Sequence, residues 1–245
     1  MTAAVHSLWR HPIKAHGREE VNATDLIPGQ CMPGDRVWAV AHEASQADGS
    51  EWVRCTNFTR AAGSPALMAI TSRSDGARLL LSHPDRPDLA FDPEADQAAF
   101  LDWVKPLMPD GRAAPVRLVK AQAQGMTDSS WPSLTICSLA SHRAVEQQLG
   151  QDLSIHRWRG NIWLDGLAPW QEFDWIGREI RIGAATLKVR ERTTRCLATA
   201  SNPETGRRDA DTLGALETWG HRDFSVKAEV TAGGAVRPGD EVELL

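Results

Sequence analysis

Short runs in which hydrophobic and polar residues alternate recur along the chain, separated by turns that contain proline or glycine. Alternation with a period of two is typical of strands that bury one face. The runs predict strands at 5–10, 36–42, 67–70, 78–81, 115–119, 134–137, 162–164, 179–183, 186–190, 224–230 and 241–245. Many short strands joined by frequent turns favour an all-β barrel or sandwich.

Two segments break this pattern and predict helices. Residues 96–107 have the apolar spacing of a helix, and prolines near its end would stop it. Residues 142–149 predict a second helix, with Ser141 as its N-cap and a glycine after its last residue.

A proline–aspartate–glycine turn at 109–111 follows the first predicted helix. Such a sequence is typical of a turn or a connection between structural units. A chain of 245 residues is long enough for one large domain or two smaller ones. We therefore expect the turn to act as a hinge between two β-rich halves, 1–110 and 111–245.

The composition excludes several classes of function. Hydrophobic residues make up 42% of the chain and charged residues 24%, the usual proportions for a globular protein. The net charge of −5 supplies no broad basic surface, so we expect no nucleic-acid partner. No stretch approaches the roughly 18 consecutive apolar residues of a membrane span, and no signal peptide is expected at the start. These features favour a cytoplasmic protein that does not enter a membrane.

The four cysteines show no paired C-x-x-C spacing and no zinc-type spacing. Free thiols in a reducing cytoplasm are therefore expected. Cys137 falls in a predicted strand and Cys31 in a turn, and we interpret both as structural. The sequence gives Cys55 no role.

Cys196 follows a predicted strand and has Arg192 and Arg195 close to it in sequence. Arginine keeps its charge, so guanidinium groups near a thiol lower its pKa and favour metal binding or nucleophilic attack. The alternative is a half-buried structural cysteine beside surface arginines. Charge and position alone leave both possibilities open.

Other polar residues at loops and strand ends complete the candidate set. The common nucleotide-binding, hydrolase and zinc-protease motifs are missing from the sequence. A soft thiolate together with cationic and amide groups suits an anionic ligand that carries a soft metal. Spacing alone does not show that these residues meet in space. The candidates are Lys14, Arg36, Asp128, Ser130, Arg159, Asn161, Arg195 and Cys196.

Several short motifs follow one another in a specific order. In the second half they are Arg157-Trp158-Arg159-Gly160-Asn161-Ile162, Asp165-Gly166-Leu167-Ala168-Pro169-Trp170, Glu172, Trp175, Ile176-Gly177, Ile182-Gly183, Thr194-Arg195-Cys196 and Asn202-Pro203-Glu204-Thr205-Gly206. This half resembles the MOSC domain, named for the C-terminal region of molybdenum-cofactor sulfurases. The first half carries Trp9-Arg10-His11-Pro12-Ile13-Lys14 and Gly34-Asp35-Arg36-Val37-Trp38, and it resembles the β-barrel domain that precedes MOSC in many members.

The resemblance implies a mainly β fold with a few helices. An N-terminal β-barrel-like domain at 1–110 would precede a MOSC β-barrel domain at 111–245. The most similar architecture is that of the amidoxime-reducing components and their bacterial relatives.

The resemblance also implies a molybdenum cofactor, a pterin dithiolene that holds molybdenum and ends in a phosphate. Cys196 would supply a thiolate to the metal and take part in catalysis. Lys14 and Arg36 match contacts with the phosphate and pterin, and Thr194 matches a small polar neighbour of the metal. The other implied cofactor contacts are Asp128, Ser130, Arg159, Asn161 and Arg195.

Two residues depart from the family pattern. Ala15 stands where relatives usually carry serine or cysteine after the lysine, and Gly160 replaces the usual proline between an arginine and an asparagine. These departures leave the details of phosphate binding open.

Two functions of different class follow from the resemblance. The first is a molybdenum-dependent oxidoreductase that reduces hydroxylamines, amidoximes or N-hydroxylated bases. Its electrons would come from a separate partner protein with a flavin, haem or iron–sulfur cluster, because the sequence carries no such signature. The alternative is a non-catalytic carrier that holds the cofactor or a persulfide on Cys196.

Overall fold

The computed structural model describes residues 2–245 and is built mainly from strands. The strands are β1 (Ala4–Arg10), β2 (Glu19–Val21), β3 (Thr24–Leu26), β4 (Trp38–His42), β5 (Thr71–Asp75), β6 (Arg78–His83), β7 (Arg86–Phe91), β8 (Pro115–Lys120), β9 (Leu134–Ser138), β10 (Ile162–Asp165), β11 (Glu179–Ile182), β12 (Ala185–Thr194), β13 (Asp223–Ala232), β14 (Gly234–Val236) and β15 (Val242–Leu244). The α-helices are α1 (Gln97–Val104), α2 (Leu139–Leu149) and α3 (Thr212–Glu217). The predicted mainly β fold with a few helices is confirmed.

One large sheet forms the centre of the molecule. Its strand order is β15-β11-β12-β13-β9-β10-β1-β2, and all pairs are antiparallel except β9 with β10. Alternate side chains of these strands form the main apolar core. Smaller sheets pair β14 with β3, β4 with β8, and β5 with β6 and β7.

Strand pairing interleaves the two predicted halves. Strand β1, from the start of the chain, pairs with β10 of the second half inside the large sheet. Strand β8 follows the predicted hinge but pairs with β4 of the first half. Loops from both halves are therefore held against each other by backbone hydrogen bonds.

Two local predictions differ from the structure, and several short elements, among them β2, β3 and α3, have no predicted counterpart. Residues 67–70 were expected in a strand, but Pro65–Ala69 form a 3₁₀-helix, since Pro65 sits in the first helical turn where a missing N–H costs nothing. Helix α2 begins three residues before the predicted start and is capped by Ser138. Helix α3 was not predicted, because six residues carry too little periodicity to stand out.

None of the helices within residues 2–245 has the length and apolar character needed to cross a membrane.

A stack of aromatic rings lies beneath the end of β12. The rings of Trp158 and Phe224 are parallel, with their centroids 3.8 Å apart. The Arg195 guanidinium lies 5.7 and 5.6 Å from these two ring centroids. Trp163 and Cys137 belong to the same buried cluster. This cluster is the rigid support for the loop that carries Cys196.

Gly160 is packed directly against Cys137. A Cβ added at Gly160 would lie 2.3 Å from the Cys137 Sγ, well inside van der Waals contact. We predict that Gly160→Ala lowers the free energy of unfolding by about 1–3 kcal/mol through overpacking. Cys137→Ala should remove most of that penalty, and a urea-unfolding double-mutant cycle measures the coupling. Additive effects of the two substitutions would contradict the contact.

Glu172 is a fully buried carboxyl whose only side-chain hydrogen-bond partner within residues 2–245 is the Ser141 hydroxyl. The Ser141 Oγ lies 2.8 and 2.9 Å from the two carboxyl oxygens and accepts the Trp170 N–H. Burial raises the pKa of Glu172 to about 7. The folded protein therefore holds this proton more tightly than the unfolded chain does.

The sign of this shift predicts that stability falls as pH rises from about 4.5 to about 7, because ionising the buried carboxyl opposes folding. Glu172→Gln keeps the shape without the titration. We expect the free energy of unfolding of Glu172→Gln, relative to the wild type, to rise by up to roughly 3 kcal/mol between about pH 5 and pH 8. Urea unfolding at both pH values measures this difference, and parallel pH profiles would refute it.

Candidate functional site

A cavity of about 350 Å³ opens where loops from the two interleaved halves meet. We call it the main cavity. Seven of the predicted site residues line it: Lys14, Arg36, Asp128, Arg159, Thr194, Arg195 and Cys196. The structure thus brings together residues that lie up to 182 positions apart, from 14 to 196.

Lys14 enters the main cavity from the turn after β1. Its N–H donates to the Trp38 carbonyl at 2.7 Å, and Ala15 takes a left-handed φ of 65°. The buried ammonium donates to the Met126 carbonyl at 2.8 Å and to Asp128 Oδ1 at 2.5 Å. Burial lowers the pKa of Lys14, and the negative charge of Asp128 opposes that effect. Lys14 is therefore a poorly hydrated cation with one carboxylate beside it.

Arg36 is held in place by a buried carboxylate. Asp35 accepts from the His11 N–H at 2.7 Å and from an Arg36 guanidinium N–H. Burial opposes the ionisation of Asp35, but the Arg36 charge and the His11 hydrogen bonds outweigh it and keep its pKa well below the usual range. Arg36 itself has a left-handed φ of 50°. The backbone and side chain are both fixed where they meet the cavity.

Arg159 carries an unused donor. It ends the 3₁₀-helix Ile155–Trp158 in a left-handed conformation with φ of 49°. Its carbonyl accepts from Arg36 Nη2 at 3.1 Å, but its own Nη2 is buried and has no hydrogen-bond partner among residues 2–245. Burial, followed by the charge of Arg36, lowers the pKa of Arg159 to about 9. Arg159 thus lies near a second guanidinium group, and Asp35, the carboxylate beside them, is paired with Arg36.

Backbone strain is concentrated at this site. Of the five non-glycine residues with positive φ within residues 2–245, Ala15, Arg36 and Arg159 line the main cavity. A non-glycine residue in this region costs on the order of 1 kcal/mol or more, and such residues cluster at ligand sites because they fix side chains in one position.

Cys196 lies just past the end of β12 and is exposed. The Arg195 guanidinium next to it donates to the Trp158 carbonyl at 2.8 Å, the Phe224 carbonyl at 3.0 Å and Ser225 Oγ at 2.6 Å. These three hydrogen bonds hold the residue before Cys196 in place, and we call them the Arg195 brace. The guanidinium also contributes positive charge to the cavity wall. Arg192 packs on the Phe173 ring at 4.2 Å and does not line the cavity.

Thr194 lies at the end of β12, on the cavity wall. Its hydroxyl donates to Asp223 Oδ1 at 2.6 Å, across the β12–β13 pair. The hydrogen bond fixes the rotamer of a small polar side chain two residues before Cys196.

Two predicted site residues do not line the main cavity. Asn161 is fully buried, where its amide oxygen accepts from the Thr135 N–H at 3.0 Å and its amide nitrogen donates to the Trp9 carbonyl at 3.1 Å. Asn161 thereby links β1, which contains Trp9, to β9, which contains Thr135. Ser130 is exposed outside the cavity. The buried Ser129, whose Oγ has no partner in the described part of the chain, lines it instead.

Sequence reasoning missed several lining residues, among them Cys55, Arg60, Thr127 and Arg157. Cys55 and Arg60 lie in a segment without regular periodicity, so no pattern marked them. Arg157 stands in one of the motifs, but its charge is paired with Asp209 at 2.5 Å.

The remaining thiols differ in exposure. Cys31 and Cys137 are buried, and burial raises the pKa of both, that of Cys137 to about 12. Both positions agree with a structural role. Within residues 2–245, no group of three or more histidine, cysteine or acidic side chains is placed to hold a metal ion by itself.

The family comparisons match both parts of the chain. A model described as the MOSC N-terminal beta barrel domain matches residues 2–129, and a model of the MOSC domain matches residues 132–243. A search of curated proteins found no match.

Among solved structures, YuaD protein from Bacillus subtilis is 13% identical over 100% of this chain and 96% of that one, with a TM-score of 0.46. YiiM from Geobacillus stearothermophilus is 17% identical over 46% of this chain and 53% of that one, with a TM-score of 0.34. YiiM from Escherichia coli gives the same identity and coverage with a TM-score of 0.35.

The two family models together span residues 2–243 except for 130 and 131. The chain therefore belongs to the MOSC family and carries the MOSC N-terminal beta barrel domain followed by the MOSC domain.

Proposed function

We propose that the main cavity binds the molybdenum cofactor with Cys196 as a metal ligand, and that the protein reduces N-hydroxylated compounds with electrons from a separate protein. The MOSC family is associated with molybdenum-cofactor binding. The observation that carries the proposal is the union, in one cavity, of Lys14, Arg36 and Arg159 with an exposed thiol.

The charges of the main cavity fit an anionic, phosphate-bearing group. Burial depresses the pKa of both Lys14 and Arg159, so each cation is poorly solvated and gains from a nearby anion. Arg159 Nη2 and Ser129 Oγ have no partner within the described residues, so both can form hydrogen bonds with a ligand. Guanidinium and ammonium groups are the usual partners of phosphate oxygens.

The Cys196 thiol suits a metal that other ligands already coordinate before it binds to the protein. Among residues 2–245 no cluster of histidines or acids surrounds Cys196, so a bare ion would find one strong ligand there. A soft metal already held by a dithiolene needs only one more thiolate from the protein. Asp128 gives one carboxylate oxygen to Lys14 and retains lone pairs that suit pterin N–H donors.

The bound cofactor would supply two-electron redox chemistry for cleavage of an N–O bond. Reduction of a hydroxylamine consumes two electrons and two protons and yields an amine and water. The chain's own residues orient the cofactor: Lys14 and Arg159 hold its anionic end, and the Arg195 brace fixes the loop that carries the thiol. The exposure of Cys196 leaves the reacting face open to a substrate.

Cys196→Ser tests the ligand assignment. We expect protein from a cofactor-competent host to hold near-stoichiometric molybdenum and to reduce hydroxylamines with a chemical or protein electron donor. Cys196→Ser should lose that activity and most of the metal, because a hydroxyl is a poor ligand for a soft metal. Metal analysis measures the bound molybdenum, and pterin analysis measures the organic part of the cofactor.

Cys55→Ser provides the comparison, since Cys55 also lines the cavity and is not buried. Loss of molybdenum in Cys55→Ser but not in Cys196→Ser would show that the wrong thiol was assigned. Bound cofactor without turnover would favour a carrier, as would a labile sulfur on Cys196 in intact-mass spectra.

Arg159→Gln separates cofactor binding from folding. Within residues 2–245 the Arg159 Nη2 has no partner to lose, so the free energy of unfolding of the cofactor-free protein should hold or rise. Cofactor retention should fall at least about tenfold, the cost of one charge-assisted hydrogen bond.

Arg195→Gln is the matched contrast, because its guanidinium makes three hydrogen bonds to the protein. It should lower the free energy of unfolding by about 2 kcal/mol or more. Thermal unfolding reports the stability of both variants, and pterin release reports how much cofactor each retains. A large loss of stability in Arg159→Gln would contradict the proposed role of that residue.

A further inference from the structure

We propose that a second cavity, of about 190 Å³, binds a small oxyanion that still carries a proton, such as hydrogen phosphate. We call it the anion cavity. It lies between the end of β4, the loop that follows residue 55, and the loop before β8. Its polar lining comes from His42, Thr56, Thr59, Arg60, Ser64 and Arg112.

The anion cavity is positively charged and has no acidic residue among its lining. Within residues 2–245, neither the half-buried Arg60 nor the exposed Arg112 has a carboxylate within ion-pair distance, whereas other half-buried arginines such as Arg10 and Arg36 are paired. The Arg112 guanidinium lies over Gly63, since a Cβ added at that glycine would be 1.9 Å from Arg112 Nη2. A charged donor is thus placed next to Ser64.

Ser64 contributes a buried hydroxyl without a partner. Its residue is 1% exposed, and its Oγ makes no hydrogen bond within the described chain. A buried hydroxyl without a partner costs on the order of 1 kcal/mol or more. A ligand or ordered water in the cavity would remove that cost.

The hydrogen bond of His42 favours a ligand that also donates. Its Nε2 lies 2.7 Å from the Thr56 carbonyl oxygen, which can only accept, so Nε2 carries the proton. In the neutral imidazole, Nδ1 is then an acceptor, and this buried atom has no partner among residues 2–245. Guanidinium donors together with an imidazole acceptor match an oxyanion with one O–H group.

The size of the anion cavity excludes a single trapped water as its whole content. One water needs roughly 10–15 Å³ of such space, far less than the cavity offers. Arg60 also lines the main cavity, so an oxyanion bound here would draw on a cation that both cavities share. An anion bound in one cavity therefore changes, through Arg60, the positive charge that an anion in the other cavity meets.

Calorimetric titration of the full-length protein with inorganic phosphate tests the proposal. Arg112→Gln should weaken binding at least about tenfold, since a charge-assisted hydrogen bond is lost. Arg237→Gln, at an exposed turn, should leave phosphate binding unchanged. Arg159→Gln should leave the Arg112-dependent binding in place, which separates the anion cavity from the main cavity.

Sulfate is the matched probe, because it has the same shape and carries no proton near neutral pH. We expect sulfate to bind at least about tenfold more weakly than phosphate, since it leaves the His42 Nδ1 without a donor. Equal binding of the two ions would overturn the requirement for a proton.

Failure of phosphate to bind, or equal phosphate binding by Arg112→Gln and the wild type, would overturn the site itself. Ser64→Ala gives a second variant if Arg112→Gln fails to fold, and it too should weaken phosphate binding. Both results report on the Arg112 side of the anion cavity, so either can fail while the main cavity still binds the molybdenum cofactor.

Discussion

Arg195 donates from its three guanidinium nitrogens to the Trp158 carbonyl, the Phe224 carbonyl and the Ser225 hydroxyl. These partners belong to two separate segments, the end of a 3₁₀-helix and the start of β13. Because arginine keeps its charge, the three bonds hold over the physiological pH range. The brace fixes Cys196 on one side and Arg159 on the other, so both depend on the same buried interaction.

The main cavity concentrates positive charge that the fold neutralises only in part: Asp128 pairs with Lys14 and Asp35 with Arg36, whereas Arg159 has no carboxylate within ion-pair distance among residues 2–245. Lys14, Arg36 and Arg159 are held there by short backbone contacts and by left-handed backbone conformations, and one of them has an unused donor. Burying a cation without a partner opposes folding, so Arg159 lowers stability unless an anion pairs with it. An anion bound in the main cavity would supply the missing negative charge.

The interleaved strands explain how distant parts of the sequence form one site. Pairing of β1 with β10 places the turn that carries Lys14 beside the loop that carries Arg159. Pairing of β4 with β8 brings the loop with Asp128 close to the same place. The anion cavity arises along the β4–β8 edge, and Arg60 lines both cavities.

The sequence by itself determined the mainly β character, most strand positions and the motifs that mark the family, because period-two alternation and turn residues are local signals. It also supplied seven of the residues that line the main cavity. Only the tertiary structure decided which residues face that cavity. Asn161 satisfies backbone groups in the core, Ser129 takes the place expected for Ser130, and Arg60 joins the wall without any motif. The direction in which a side chain points depends on strand pairing across the chain, and no local pattern records it.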